Sequence, residues 1–202
     1  MKELIIKLHV LIFDAYISEE IVIDQTGIKL ENRRVVIEEL NKLDFELLNE
    51  IAKSQGIEYN GKLNSQRLLN MYLKGIKDLN KEIKNKDVLV LENGTLVDAV
   101  DDGFYVQGGS TYDVRRWWGI KRYKSNSNAR RWEFDIRAAG QANAAGAIVG
   151  GLVFGPWGVA GNGITSVYLF NLADRISYHN GRTSRGIIAN MHYTLTFSIT
   201  TQ

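Results

Sequence analysis

Apolar residues recur at helical intervals through the first third of the chain. In "RRVVIEELNKLDFELLNEIAKSQG", Val36, Ile37, Leu40, Leu43, Leu47, Leu48 and Ile51 fall on one face, with acids and lysines opposite and Gly56 as a stop. "NSQRLLNMYLKGIKDLNKEIKNK" repeats the pattern through Leu68, Leu69, Tyr72, Leu73, Ile76, Leu79 and Ile83, with Asn64 or Ser65 as N-cap. Two packed amphipathic helices are predicted. The period then changes. "VLVLENGTLVDAV" is two short β-type runs around Asn93-Gly94, a dipeptide suited to the left-handed dihedrals of a hairpin turn. The tail "NMHYTLTFSITTQ" alternates with period two, Met191, Tyr193, Leu195, Phe197 and Ile199 against His192, Thr194, Thr196, Ser198 and Thr200. This predicts one half-buried strand, paired with β-type residues near Trp117 or with the hairpin at Gly94.

Between these patterns lies Ala138 to Ala173, which contains no charged residue. Helix periodicity enters it from "SNSNARRWEFDIRAAGQ", with Ser127 and Asn128 as N-cap candidates, and "FGPWGVAGNG" breaks it at the chain's single proline, Pro156. A glycine-rich helical hairpin is predicted, its second arm ending at Gly181. Gly146 and Gly150, and Gly151 and Gly155, stand four apart, and Ala138, Ala142 and Ala145 extend the small-residue face. That spacing lets helix backbones approach closely and serves association in lipid. The arms of about 15 to 18 residues fall short of the roughly 20 that span a bilayer. A buried hairpin in a soluble fold and conditional insertion into lipid both fit, with Gly146, Gly150, Gly151, Gly155, Pro156, Trp157 and Gly158 as the insertion hairpin in the second case. The fold class expected is α+β: a mainly helical N-terminal region with a β-hairpin, then the helical hairpin packed with a few antiparallel strands.

Charge divides the chain in two. Met1 to Phe104 holds 14 Lys+Arg against 19 Asp+Glu, a net of −5, and Tyr105 to Gln202 holds 11 against 4, a net of +7. The glycines at 103, 108 and 109 coincide with the change, so an acidic domain 1–104 and a basic, hydrophobic domain 105–202 are expected. A basic half attracts anionic lipid, nucleic acid or an acidic partner, which here includes the first half. Its cations lie among aromatic rings. Arg115, Arg116, Lys121, Arg122, Lys124, Arg130 and Arg131 lie among Trp117, Trp118, Tyr123 and Trp132. Indole rings and cations together suit a membrane interface. They could also stack bases, or Trp117 and Trp118 could alternate across a strand with one ring in the core. The uncharged hairpin favours the membrane, since a nucleic-acid protein has no obvious use for it, and no nucleic-acid partner is expected.

The remaining chemistry is sparse. Without cysteine the chain has no disulfide, thiol catalysis or zinc finger, and His9, His179 and His192 have no metal-site spacing, so neither metal nor cofactor is expected. "GGSTYD" lacks the lysine of a phosphate loop and "VQGGS" the elbow of a serine hydrolase. The pairs Asp101-Asp102 and Glu133-Asp135 read as solvated surface, and no enzymatic activity or small-molecule substrate is expected. At the N-terminus, "MKELIIKLHVLIFDAYISEE" has an apolar run interrupted by His9 and Asp14 with no clear cleavage site, and reads as an amphipathic first element more than as a secretory signal.

In organisation, residues 105–202, chiefly "RRWWGIKRY" and "AAGAIVGGLVFGPWGVAG", resemble the closticin-like bacteriocin precursors that Gram-positive bacteria secrete. In those a polar helical pro-region precedes a cationic, glycine-rich hydrophobic piece. "VQGGS" carries the double glycine that ends many bacteriocin leaders, with different apolar spacing before it. The resemblance implies a secreted antimicrobial protein whose C-terminal domain binds anionic membranes and inserts its hairpin, restrained by the acidic half or an immunity protein. The alternative is a soluble, secreted protein-interaction module with the hairpin as core.

Overall fold

Two helices begin where an asparagine side chain captures a free amide. Asn32 accepts from Val35 N–H at 3.3 Å and opens α1 (Arg33–Leu40), and Asn64 accepts from Arg67 N–H at 2.9 Å and opens α3 (Ser65–Asn85). In this computed structural model, which describes residues 17–59, 61–98, 104–106, 109–142, 147–154 and 163–202, the run from Arg33 to Gly56 is two helices, not one. Asp44 supplies the break: its carboxylate accepts from Leu47 N–H at 3.0 Å and starts α2 (Phe45–Ser54). Helix α3 stops at Lys86, whose φ of 66° is left-handed.

The fold is α+β, and its contacts separate into two compact units. The first comprises residues 1–51, 62–100 and 115–118, and the second residues 52–61, 101–114 and 119–202. The changeover near residue 100 is close to the charge boundary, but each unit also takes a short segment from the other side of it. The first unit contains the hairpin of β1 (Ile21–Asp24) and β2 (Gly27–Leu30), and that of β3 (Val88–Val90) and β4 (Leu96–Asp98), where Gly94 has a φ of 75°. Asn80 of α3 ties down β2 as a strand would: Ile28 N–H donates to its Oδ1 at 2.8 Å, and its Nδ2 donates to Ile28 O at 2.9 Å. Leu68, Leu69, Tyr72, Ile76 and Leu79, all in the α3 pattern, are buried with Val36, Leu40, Val88 and Leu96.

The second unit has an antiparallel sheet in the order β6 (Gly109–Arg116), β7 (Gly119–Lys124), β8 (Ile187–His192), β9 (Phe197–Thr201), with β5 (Phe104–Val106) pairing on β6. The last two residues of β6 belong to the first unit, where Arg115 pairs with Leu96. Trp117 and Trp118 occupy the β6–β7 turn, so they do not alternate along a strand. The tail is two strands, not one: Leu195, at φ 67°, closes a turn between β8 and β9, and His192 and Thr194 are buried along with Met191 and Leu195. The expected pairing of the tail near Trp117 is found, as Gly119 to Lys124 faces His192 to Ile187.

Three helices cover this sheet's unit: α4 (Asn126–Gln141), α5 (Ala147–Phe154) and α6 (Ser166–Asn180). Helix α4 starts at Ser125, ahead of the expected Ser127 or Asn128, and Ser125 makes no side-chain capping bond, since its N–H and hydroxyl engage Thr111. Asn126 Nδ2 lies 3.2 Å from Asn180 Oδ1, and Arg137 Nη2 lies 2.9 Å from Asp174 Oδ1, so α4 and α6 run antiparallel. Their close approach is at Gly140, where a methyl group would come within 3.1 Å of the Phe170 ring. Ala138 and Ala142 are exposed and take no part in it. Ala129, Trp132, Ile136, Val149, Val153, Phe154, Tyr168, Leu169, Leu172 and Ile176 pack on Ile120, Ile187, Ala189, Met191 and Ile199 to form the core. Gly146, Gly155, Pro156, Trp157 and Gly158, and with them the tip of the expected hairpin, lie outside the described residues. No described helix is long and apolar enough to cross a membrane.

Candidate functional site

The basic and aromatic residues that look like one cluster in the sequence separate into three environments. The first is interior. Trp132 of α4 is 6% exposed, and its indole N–H donates to Leu152 O at 2.9 Å. Arg122 of β7 is 7% exposed and donates through Nη1 to Leu152 O and Val153 O, both at 2.9 Å, while its Nε stands 3.2 Å from Asp113 Oδ2. Its guanidinium lies 4.9 Å from the centre of the Trp132 ring. Helix α5 is thus held at its C-terminal end, where its carbonyls have no partner within the helix and a cation is favoured by the dipole. Lys124 joins from the same strand, 3.4 Å from Asp113. Burial, and then the Arg122 charge, hold the Lys124 ammonium below the ordinary lysine value against the pull of Asp113. Tyr123 points elsewhere, stacked on Tyr112 at 4.2 Å with Lys121 Nζ 5.2 Å above its ring.

The second environment is the β6–β7 turn in the first unit. Arg115 is buried, its Nη2 3.8 Å from Glu82 Oε2. Trp117 is buried against Tyr72, ring centres 5.4 Å apart, and Arg116 and Trp118 are half-buried.

The third is the outer surface of α4 and α6. Arg130 and Arg131 are exposed, and one turn on stands Phe134, 72% exposed. On α6, Arg175 and Tyr178 are exposed as well, Tyr178 at 55%, with Arg182 donating to its hydroxyl at 2.6 Å from just beyond the helix. The acids on this surface are few. Asp174 and Glu133 are both bonded to Arg137, which they hold above the ordinary arginine value, leaving Asp135. An exposed apolar ring one helical turn from two exposed arginines is the combination that a membrane interface selects. Phe134 escaped sequence reasoning because it sits in a helix that also supplies core residues. The signal was there: Phe134 is two residues from both Trp132 and Ile136, so it cannot share their buried face.

Among the described residues no group of three histidines or acids stands close enough to hold a metal ion. His192 is 3% exposed at the end of β8, and burial lowers its pKa to about 4. In the unfolded chain it titrates near 6.5, so between pH 6.5 and 4 unfolding takes up a proton. The stability present above pH 6.5 is lost as pH falls, by about 3 kcal/mol once pH reaches the folded value. Urea denaturation at pH 7 and pH 4.5 should show this loss in the native chain. In His192→Gln the pH dependence should be smaller, and an equal loss would show that other groups carry it.

Comparison with known protein families, with curated proteins and with solved structures returned no match.

Proposed function

We propose that this protein is a membrane-active antimicrobial of the bacteriocin type, whose second unit meets anionic membranes through the outer face of α4 and α6. The observation that carries this reading is Phe134, a largely exposed aromatic ring one turn after Arg130 and Arg131 on a helix otherwise well packed. A Lys or Arg held near an anionic surface contributes about 1 kcal/mol, and an aromatic ring at headgroup depth fixes the orientation. Uncharged α5 is the segment that enters lipid in this reading, after leaving the core. Its docked position, with Val149, Val153 and Phe154 at 0–2% exposure, is the latent state.

Flotation of the whole chain with phosphatidylglycerol vesicles tests the first step. Binding should weaken as salt rises, because the Debye length falls from about 10 Å at 0.1 M to about 3 Å at 1 M. Arg130→Gln with Arg131→Gln should weaken it roughly 30-fold, the equivalent of about 2 kcal/mol. Unchanged binding by the double variant would overturn the assignment of this face. The same burial of Val149, Val153 and Phe154 favours a second reading, a soluble interaction module in which α5 never leaves. That module would show one thermal transition indifferent to lipid and no release of trapped dye.

A further inference from the structure

The turn that joins β6 to β7 lines a cleft of about 240 Å³ in the first unit, with Ile23 and Leu96 completing its wall. Its two guanidiniums differ. Arg115 is buried and faces Glu82, whereas Arg116 is half-buried and makes no hydrogen bond or ion pair to any described residue. Among the described residues no acidic side chain lines the cleft. Beside the two arginines the cleft is lined by Trp117, Trp118, the aliphatic Ile23 and Leu96, and Gly94. Trp117 is fixed against Tyr72 in the unit's core, so this wall is preformed.

A half-buried cation with an apolar surround selects a ligand of two parts. A guanidinium fork matches a phosphate or carboxylate bidentately, and the bond is strong because both members are charged. The indole faces and aliphatic side chains gain nothing from a bare ion but cover an apolar stem. Cations are repelled by Arg116. The volume, below the roughly 300 Å³ of ordinary ligand pockets, admits a head and a short stem.

We propose that this cleft binds single anionic amphiphiles, an oxyanion head on Arg116 and an apolar stem on Trp118, Ile23 and Leu96. The site is separate from the α4/α6 face and does not rest on the membrane reading. The same head and stem occur in a membrane lipid and in a free short-chain acid or ester, and the experiment separates them. The whole chain is titrated by calorimetry with monomeric dihexanoylphosphatidylglycerol, with hexanoate, and with glycerol 3-phosphate, which has the phosphate without the stem. One saturable site for the first or second, and at least tenfold weaker binding of the third, is expected. Binding of the first alone identifies a phospholipid source, and binding of hexanoate a free acid. Arg116→Gln should weaken binding about tenfold or more, the charge-assisted bond being lost, and Arg116→Lys should restore part of it. Trp118→Ala should weaken the stemmed ligands and leave glycerol 3-phosphate unchanged. Arg130→Gln with Arg131→Gln should leave all three affinities intact even where vesicle binding is lost. No saturable binding, equal affinity for glycerol 3-phosphate, or an Arg116→Gln chain that binds as the native one does would each overturn the proposal.

Discussion

Gly109→Ala should unfold the second unit or cost it on the order of 4 kcal/mol, summing an overpacked contact and a disfavoured backbone. The position combines both penalties. Gly109 opens β6 at a φ of 100°, and a methyl group there would sit 1.5 Å from the backbone oxygen of Arg185, inside any contact distance. The chain cannot ease away, because the next residue is clamped. Ser110 N–H donates to Gln202 Oε1 at 3.0 Å, and Gln202 Nε2 donates to Ser110 O at 2.8 Å and Ile187 O at 3.1 Å. Gly151→Ala is the contrasting substitution. Gly151 lies within α5 with no described atom within 4 Å of the added methyl, and alanine there should stabilise the folded chain by about 1 kcal/mol through helix propensity. Denaturant titration of both variants tests this. A Gly109→Ala chain within 1 kcal/mol of native would mean that β6 and the turn at Arg185 can separate without loss.

That pair of glycines shows what composition conceals. As a run, "VQGGS" looks like a leader ending, while Gly109 has a local reason to be glycine that involves a backbone 76 residues away. Periodicity carried further. The α3 stripe, the hairpin at Gly94 and the existence of helix on both sides of the uncharged segment follow from spacing alone, because each element buries one face against its neighbours. What periodicity missed were the interruptions. Asp44 and Leu195 each end an element through a local backbone event, a side-chain cap in one case and a left-handed φ in the other, and neither disturbs the apolar period around it. The tail alternated so cleanly that the turn was invisible.

The candidate site was legible in its residue types and not in their placement. Eleven basic and aromatic residues between Arg115 and Trp132 suggested a single surface, yet a β-turn and a helix start divide them. Arg122 and Trp132 point inward because β7 and α4 each turn a buried face to the same core, and Arg122 has Asp113 beside it and two carbonyls in front. Arg130 and Arg131 point outward from the same helix that buries Trp132. Of the basic half's cations, Arg130, Arg131, Arg175 and Arg182 stand exposed on or just beyond α4 and α6, while Arg115, Arg122 and Lys124 are held in internal ion pairs. The exposed ones are those placed to steer an approach to an anionic surface.

Arg122→Met should cost the second unit about 3 to 5 kcal/mol, the expectation for breaking a buried pair by removing one partner. Four groups each lose one contact together. Leu152 O retains the Trp132 indole, but Val153 O, Asp113 and the Trp132 ring lose the contacts that the guanidinium made. Lys124, 3.4 Å away, is left to balance Asp113 alone. Arg122→Lys keeps the charge and loses the fork, so it cannot serve both carbonyls and Asp113 at once, and its loss should fall between native and Met. Amide exchange locates the effect. If Arg122 holds α5 in place, exchange in residues 147–154 should accelerate more than in β8, whereas uniform acceleration would make Arg122 a global stabiliser and α5 an ordinary part of the core. The membrane reading adds a further readout. A protein whose latent state depends on this contact should release trapped dye from phosphatidylglycerol vesicles faster as Arg122→Met than as the native chain, despite its lower stability. Slower release by a variant that still floats with the vesicles would show that α5 works from its docked position or not at all.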